Sequence, residues 1–215
     1  MDKTTLQNLR LNYSSHSLDE KEVHANPIEQ FKQWFKEASD ADVPEPNAMT
    51  LATAMIDFKP SARIVLLKGI EHNGFVFFTN YDSRKGKELL WNPYAALVFL
   101  WHELERQVRI EGRVEKISES ESIEYFNSRP IGSKIGAVIS QQSAIIPNRK
   151  WLEDKNIEAE KRYEKDPIIK PDFWGGYIVI PNCIEFWQGR SSRLHDRVRY
   201  TLEENQKWAI SRLEP

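Results

Sequence analysis

The chain has 215 residues, 40% apolar and 29% charged, enough for a folded protein with a sizeable core. A formal charge of −2 excludes the broad basic excess of a general nucleic-acid or membrane-surface binder. The single cysteine, Cys183, excludes an internal disulfide and any multi-cysteine metal centre, and the five histidines show no ligand-like spacing, so no metal is expected.

In chain order, residues 1–26 are polar, lack a periodic apolar face and read as a mobile N-terminal arm. Residues 1–20 hold no apolar block of signal-peptide length. The longest wholly apolar run, residues 95–101, is too short to span a bilayer. A soluble, cytoplasmic protein is expected, with residues 27–215 as one domain. Pro27 opens a helix capped by Asn26, with Ile28, Phe31, Phe35 and Ala38 at helical spacing. Residues 42–47 carry two prolines and form a loop.

Five β-like runs follow, at residues 49–56, 62–68, 75–79, 95–101 and 107–117, with turn residues at 57–60 and 72–74. Only the last alternates: Val108, Ile110 and Val114 face one way, Arg109, Glu111 and Arg113 the other. The continuous apolar runs predict strands buried on both faces. Helices are predicted at 82–92, 119–128, 131–142 and 150–165. Strands at 176–180 and 183–187 then precede a basic segment and a final strand ending at 208–213. The pattern fits a small closed β-barrel with helical additions, and the regular alternation of a doubly wound parallel sheet is absent.

The sequence has no G-x-G-x-x-G, no G-x-x-x-x-G-K-[ST], no G-x-S-x-G and no H-E-x-x-H, so any bound phosphate must be held by Arg, Lys, Ser and Thr side chains. Four stretches could do so. If residues 193–197 are extended, Arg193, His195 and Arg197 share one face and make an anion clamp behind Trp187; spacing alone favours a solvated basic edge strand. At Thr79-Asn80-Tyr81-Asp82-Ser83-Arg84-Lys85 a strand meets a helix capped by Asp82 or Ser83, where free N–H groups converge with Arg84 and Lys85; these cations could also simply face solvent. Arg63 and Lys68 bracket an apolar run at a spacing that sends them to opposite faces of a regular strand. Tyr125 and Arg129 lie at i, i+4 with Ser133 close behind, a phosphate grip or a surface cluster. Cys183 reads as core and His102 as a turn residue.

Taken together and in this order, these stretches resemble the pyridoxine/pyridoxamine 5′-phosphate oxidase family. The run from Glu185 to Arg197 has that family's form, E-[FY]-W-[QH]-G, three residues, then R-L-H-D-R. Further matches are R-I-V-L-L-K at 63–68, N-Y-D-S-R-K at 80–85, E-R-Q-V at 105–108, Y-F-x-S-R-P at 125–130, Gln142-Ser143, and F-W-G-G at 173–176. The resemblance implies a split β-barrel and a homodimer with two FMN molecules in clefts between the subunits. It implies FMN contacts from Arg63, Ile64, Val65, Leu66, Leu67, Lys68, Phe78, Thr79, Arg84, Lys85, Gln107, Gln142, Ser143, Trp187 and Arg197. It implies a substrate phosphate held by Lys68, Tyr125, Arg129 and Ser133, and a pyridine ring near Arg193 and His195 as the catalytic pair. Arg10-Leu11-Asn12-Tyr13 keeps the first Arg and the Tyr of the family's R-R-x-Y arm but lacks its second Arg, so a lid would rest on Arg10 and Tyr13.

The implied activity is oxidation of pyridoxamine or pyridoxine 5′-phosphate to pyridoxal 5′-phosphate by O2, with hydrogen peroxide as product, and without nucleic-acid or membrane partners. Rival readings are a split-barrel flavoprotein with another substrate, a non-catalytic flavin or pyridoxal phosphate carrier, and a nucleic-acid-binding barrel using residues 193–199.

Overall fold

Two residues decide where the first helix starts. The Asn26 side chain accepts the Ile28 N–H at 2.9 Å, and Pro27 takes the first helical position, where a missing N–H costs nothing. In the computed structural model, which describes residues 2, 12–13 and 16–215, helix α1 (Pro27–Asp40) buries Ile28, Phe31, Trp34 and Ala38, with Phe35 half-buried. The strands are β1 (Ala48–Ala54), β2 (Pro60–Leu66), β3 (Gly69–Glu71), β4 (Gly74–Asn80), β5 (Tyr94–Trp101), β6 (Arg106–Lys116), β7 (Trp174–Gln188), β8 (Asp196–Leu202) and β9 (Trp208–Arg212). Helices α2 (Arg84–Trp91), α3 (Glu119–Ser128), α4 (Ile131–Ile139) and α5 (Arg149–Tyr163) complete a mainly β fold with helical additions. The strands are hydrogen-bonded in the order β2-β1-β5-β6-β7-β4-β3, with β8 on β7 and β9 on β8.

The chain divides into two compact units, the first comprising Met1–Thr50, Ala96–Glu111 and Pro181–Pro215, the second Leu51–Ala95 and Gly112–Ile180. In the first unit, Phe31 packs on Phe99 with centroids 4.9 Å apart, Trp34 on Phe186 at 5.2 Å, and Phe186 on Tyr200 at 5.6 Å. Edge-to-face contacts of this kind add to the apolar burial itself. The buried Arg106 lies 4.4 Å over the Trp34 ring, donates to Gln188 Oε1 at 2.9 Å and pairs with Glu37. The Leu18 N–H donates to Asp196 at 3.1 Å and the Tyr200 hydroxyl to the His24 carbonyl at 2.7 Å, which ties residues 18–24 to this unit.

In the second unit, β4 pairs antiparallel with β7 from Phe75↔Val179 to Asn80↔Trp174. The predicted turn at 72–74 closes a hairpin with β3, a strand that the apolar pattern did not reveal; His72 and Asn73 both have positive φ, as a type I′ turn requires. Gly86 lets α2 begin hard against the end of β4, because a Cβ there would sit 2.0 Å from the Tyr81 carbonyl oxygen.

Three expectations are corrected. The segments 176–180 and 183–187 are one strand, β7, because Pro181 falls between the stretch paired with β4 and the stretch paired with β8, where a proline is tolerated. Burial on both faces holds for β4 but not for β2 or β5: Ile64 is 65% exposed, and β5 alternates, with Leu97 and Phe99 buried and Leu100 62% exposed. The basic segment supplies β8, a further strand, rather than a connection to the last one. As expected, β6 alternates, with Val108, Ile110 and Val114 buried.

Candidate active site

In the second unit, the ends of β2, β4, α3 and α4 surround a cavity of about 690 Å³. Arg63, Ile64, Val65 and Leu66 line it from β2, and Lys68 joins them. Lys68 shares the cavity with Arg63 because β2 stops at Leu66, which frees Lys68 from the alternation of the pleat; its N–H donates to the Val76 carbonyl at 2.8 Å. Leu67 instead turns into the core.

Phe78 and Thr79 from β4, Lys85 from α2, and Gln142 form a second wall. Gln142 Oε1 accepts from Lys85 Nζ at 2.8 Å and from the Thr79 hydroxyl at 3.1 Å. Burial and then the neighbouring Arg63 charge lower the Lys85 pKa, opposed by Glu88. Ser83 caps α2, its hydroxyl accepting the Gly86 N–H at 3.3 Å. Arg84 and Ser143 line a different cavity of about 380 Å³, where the Arg84 N–H donates to Ser143 Oγ at 3.2 Å.

Behind these cations lies Glu88, 1% exposed, which the sequence reading passed over although it stands four residues after Arg84 on a helix. Its Oε1 accepts from Arg84 Nε at 2.9 Å, and its Oε2 from the Ser61 hydroxyl at 2.6 Å, the Thr53 hydroxyl at 2.5 Å and Arg63 Nη2 at 3.2 Å. Burial opposes ionisation, but these four donors outweigh it and hold the Glu88 pKa at about 2.

At the third wall, Tyr125 near the end of α3, Arg129 just beyond it and Ser133 in the first turn of α4 all face the cavity. The Tyr125 ring stacks on Phe78 at 3.9 Å, and Trp174, also missed in the sequence, stacks 5.5 Å from Phe78 and under the Arg129 guanidinium at 4.7 Å. Arg129 Nη1 is buried without a hydrogen-bond partner among the described residues, and burial lowers the Arg129 pKa. Among the described residues no side chain caps the N-terminus of α4. A buried, unclaimed guanidinium nitrogen beside a lysine, a tyrosine, a serine and an uncapped helix start suits a phosphate monoester.

The remaining predicted residues lie in the first unit. Trp187 and Arg197 are cross-strand partners on β7 and β8. Arg197 donates from Nε and Nη2 to the two oxygens of buried Glu185 at 2.8 and 3.1 Å, which raises the Arg197 pKa. Gln107 is half-buried on β6, two residues before Arg109, whose Nη1 lies 3.4 Å from Glu185. The His195 ring is 4.6 Å from Trp187, and Tyr13 packs edge-on to Trp187 at 5.9 Å and 6.0 Å from His195. Gly189 makes room for Tyr13, since a Cβ there would meet its ring at 2.7 Å. Arg10 lies outside the described residues.

The extended geometry expected for residues 193–197 is not found. Ser191–Arg193 form a 3-10 turn in which Ser192 and Arg193 have φ of 56° and 61°, so Arg193 leaves the face that period-2 spacing assigned to it. The turn instead lets the Arg190 N–H donate to His195 Nδ1 at 3.1 Å, which leaves the proton of the neutral ring on Nε2. Burial, and next the Arg193 charge, lower the His195 pKa.

Residues 35–163 match the family model described as pyridoxamine 5′-phosphate oxidase, and residues 174–215 match the pyridoxine 5′-phosphate oxidase C-terminal dimerisation region. A pyridoxine/pyridoxamine 5′-phosphate oxidase of Trichormus variabilis is 59% identical over 215 residues, covering 100% of both chains. One from Burkholderia ambifaria is 58% identical over 214 residues, covering 99% of this chain and 100% of its own. Among solved structures, PhzG from Burkholderia lata 383, in complex with tetrahydrophenazine-1-carboxylic acid, superposes with a TM-score of 0.88 at 31% identity over 94% of this chain and 100% of its own. A pyridoxamine 5′-phosphate oxidase-related, FMN binding protein from Nostoc punctiforme PCC 73102 shares the fold at a TM-score of 0.70 and 16% identity, over 86% of this chain and 97% of its own. Among the described residues no helix is long and apolar enough to cross a membrane. With both matched regions in place and nearly six residues in ten identical to such oxidases over the full length, the chain belongs to the pyridoxine/pyridoxamine 5′-phosphate oxidase family.

Proposed function

We propose that the chain is an FMN-dependent oxidase of pyridoxamine and pyridoxine 5′-phosphate, producing pyridoxal 5′-phosphate in the cytoplasm as a homodimer. The observation that carries this reading is Arg129, whose buried Nη1 has no partner in a cavity it shares with Lys68, Tyr125 and Ser133. An uncompensated buried donor costs about 1–3 kcal/mol, a cost that a bound phosphate would offset. The 31% identity to PhzG keeps a flavoprotein with a non-phosphorylated substrate as the second reading, and Arg129 speaks against it.

FMN, when bound, would supply the acceptor for a hydride equivalent from the substrate carbon, with O2 as the final oxidant and hydrogen peroxide as its product. Arg63, Ile64, Val65, Leu66, Lys68, Phe78, Thr79, Arg84, Lys85, Gln142 and Ser143 would hold FMN from the second unit's residue set, with Leu67 behind them in the core, and Gln107, Trp187 and Arg197 would hold it from the first's. The homodimer, supported by the match to a dimerisation region, is the form in which both sets serve one flavin. Lys68, Tyr125, Arg129 and Ser133 grip the substrate phosphate, while the stacked rings of Phe78, Tyr125 and Trp174 keep water from that wall. His195, neutral with its proton on Nε2, and Arg193 hold the pyridine ring, and their contribution is positioning. Tyr13, which packs against Trp187 and His195, closes over the substrate. With the amine substrate, water enters and ammonia leaves.

The test is a visible spectrum of the purified protein before and after pyridoxamine 5′-phosphate is added without oxygen. Flavin that bleaches, then recovers in air with peroxide formed, supports the oxidase. Flavin that stays oxidised supports the second reading, and failure to bind added FMN refutes both.

A further inference from the structure

Glu88 has no part in the binding roles above, yet its surroundings are those of a working group. A carboxylate removed from water is costly unless donors replace its hydration, and Glu88 receives four, two of them guanidiniums from different elements. Arg63 comes from β2 and lines the larger cavity; Arg84 comes from α2 and lines the smaller one. Both terminal nitrogens of Arg63 are tied, Nη1 to the Leu51 carbonyl at 3.2 Å and to the Thr53 hydroxyl at 2.5 Å, and Nη2 to Ser61 and Glu88. Arg84 is tied only through Nε; its side chain is 65% exposed, and among the described residues no hydrogen bond takes its Nη1 or Nη2.

We propose that Glu88 is a positioning residue that makes the flavin site select a phosphorylated flavin over an unphosphorylated one, by fixing the Arg63 and Arg84 guanidiniums. The proposal rests on the FMN reading and deepens it. Three cations, Arg63, Arg84 and Lys85, stand against one buried carboxylate, leaving a net charge of about +2 to meet a phosphate monoester of about −2. The Glu88 charge also opposes the lowering of the Lys85 pKa by burial and by the Arg63 charge. Without the carboxylate, three like charges would repel one another and the Arg84 arm would lose its tether. The selectivity lies in the orientation of the guanidiniums, which a phosphate reads and a bare ribityl chain does not.

The test is to strip flavin from the full chain and titrate FMN and riboflavin by quenching of flavin fluorescence, for the wild type, Glu88→Gln and Ser61→Ala. The expected result is a wild type that prefers FMN, and a Glu88→Gln variant whose preference falls about tenfold, the worth of one charge-assisted hydrogen bond. Riboflavin affinity should change little. Ser61→Ala, which removes one donor to Glu88 and leaves the carboxylate in place, should lower the preference in the same direction by less, and it decides the matter if Glu88→Gln does not fold. A purely structural Glu88 would weaken both ligands alike and leave the preference unchanged, overturning the inference. A raised preference would overturn it too, showing a carboxylate that competes with the phosphate. A wild type that binds no FMN would overturn the FMN reading itself, and the inference with it.

Discussion

Arg129→Met separates a ligand clamp from a structural cation. Methionine keeps an unbranched, polarizable stem over the Trp174 ring and removes only the guanidinium. In the unliganded chain, the unclaimed buried Nη1 costs about 1–3 kcal/mol, while the contact over Trp174 at 4.7 Å returns about 0.5–2 kcal/mol. The two nearly offset, so stability should change by no more than about 1 kcal/mol. For a chain of 215 residues that is a Tm shift within about 4 °C. With phosphate bound the balance differs, since each charge-assisted hydrogen bond contributes about 1.5–3 kcal/mol, and losing one should raise KM for pyridoxamine 5′-phosphate about tenfold to a hundredfold. The assays are calorimetry without ligand and steady-state oxidation with pyridoxamine 5′-phosphate. Unphosphorylated pyridoxamine, if turned over, should be handled alike by both proteins. A Tm that falls by about 8 °C or more with an unchanged KM would refute the reasoning and make Arg129 a structural support.

Three further outcomes follow from the same geometry. His195 has a pKa below the ordinary 6.5 through burial and the Arg193 charge, so the stability it contributes is present above that pH and is lost as pH falls through the lower folded value. Arg193→Ala should move the His195 pKa back toward 6.5 in an NMR titration and lower turnover more than FMN content; an unmoved ring, or equal loss of both, counts against the assignment. Glu88, held at about 2 against an ordinary 4.5, stabilises the fold above pH 4.5 and ceases to do so as pH falls toward 2. Glu88→Gln should therefore be less stable than wild type in urea at pH 7, with the gap narrowing at pH 3, and a constant gap would be the contrary result. Gly86→Ala sets a Cβ 2.0 Å from the Tyr81 carbonyl oxygen, a backbone atom that cannot yield cheaply, so a loss of about 1–3 kcal/mol should appear in thermal unfolding. A variant as stable as wild type would show that the β4–α2 junction is looser than this contact implies.

Helix α1 and the alternating β6 were legible because each carries a strong period or a cap: Asn26-Pro27 at the helix start, and Val108, Ile110 and Val114 along one face of the strand. β3 was not, because three residues give no period, and β7 was divided in two because Pro181 looks like a stop wherever its neighbours are unknown. The family motifs marked Arg63, Lys68, Arg129 and Arg197 as a set. Nothing in the residue order marked Glu88 or Trp174 as partners of those arginines. An acidic residue on an amphipathic helix is ordinarily a solvated one, and only packing reveals that this one is buried beneath two guanidiniums.

Where spacing arguments failed has a physical pattern. Lys68 follows the last residue of β2, Lys85 sits in the first turn of α2, Arg129 lies between α3 and α4, Gln142 and Ser143 lie beyond α4, and His195 immediately precedes β8. Element ends are where a rigid scaffold can deliver a side chain while the backbone is released from its period, which suits a ligand that must be met from several directions. Period-2 reasoning assumes that the period persists. It therefore assigned Arg63 and Lys68 to opposite faces of a strand that ends before Lys68, and gave Arg193 and His195 a common face across a 3-10 turn with positive φ at Ser192 and Arg193. In the middle of β6 the same reasoning succeeds. The positions most exposed to error from periodicity are thus the element ends on which the proposed chemistry depends, and at Arg129 burial without a partner is a stronger guide to a bound phosphate than any spacing in the chain.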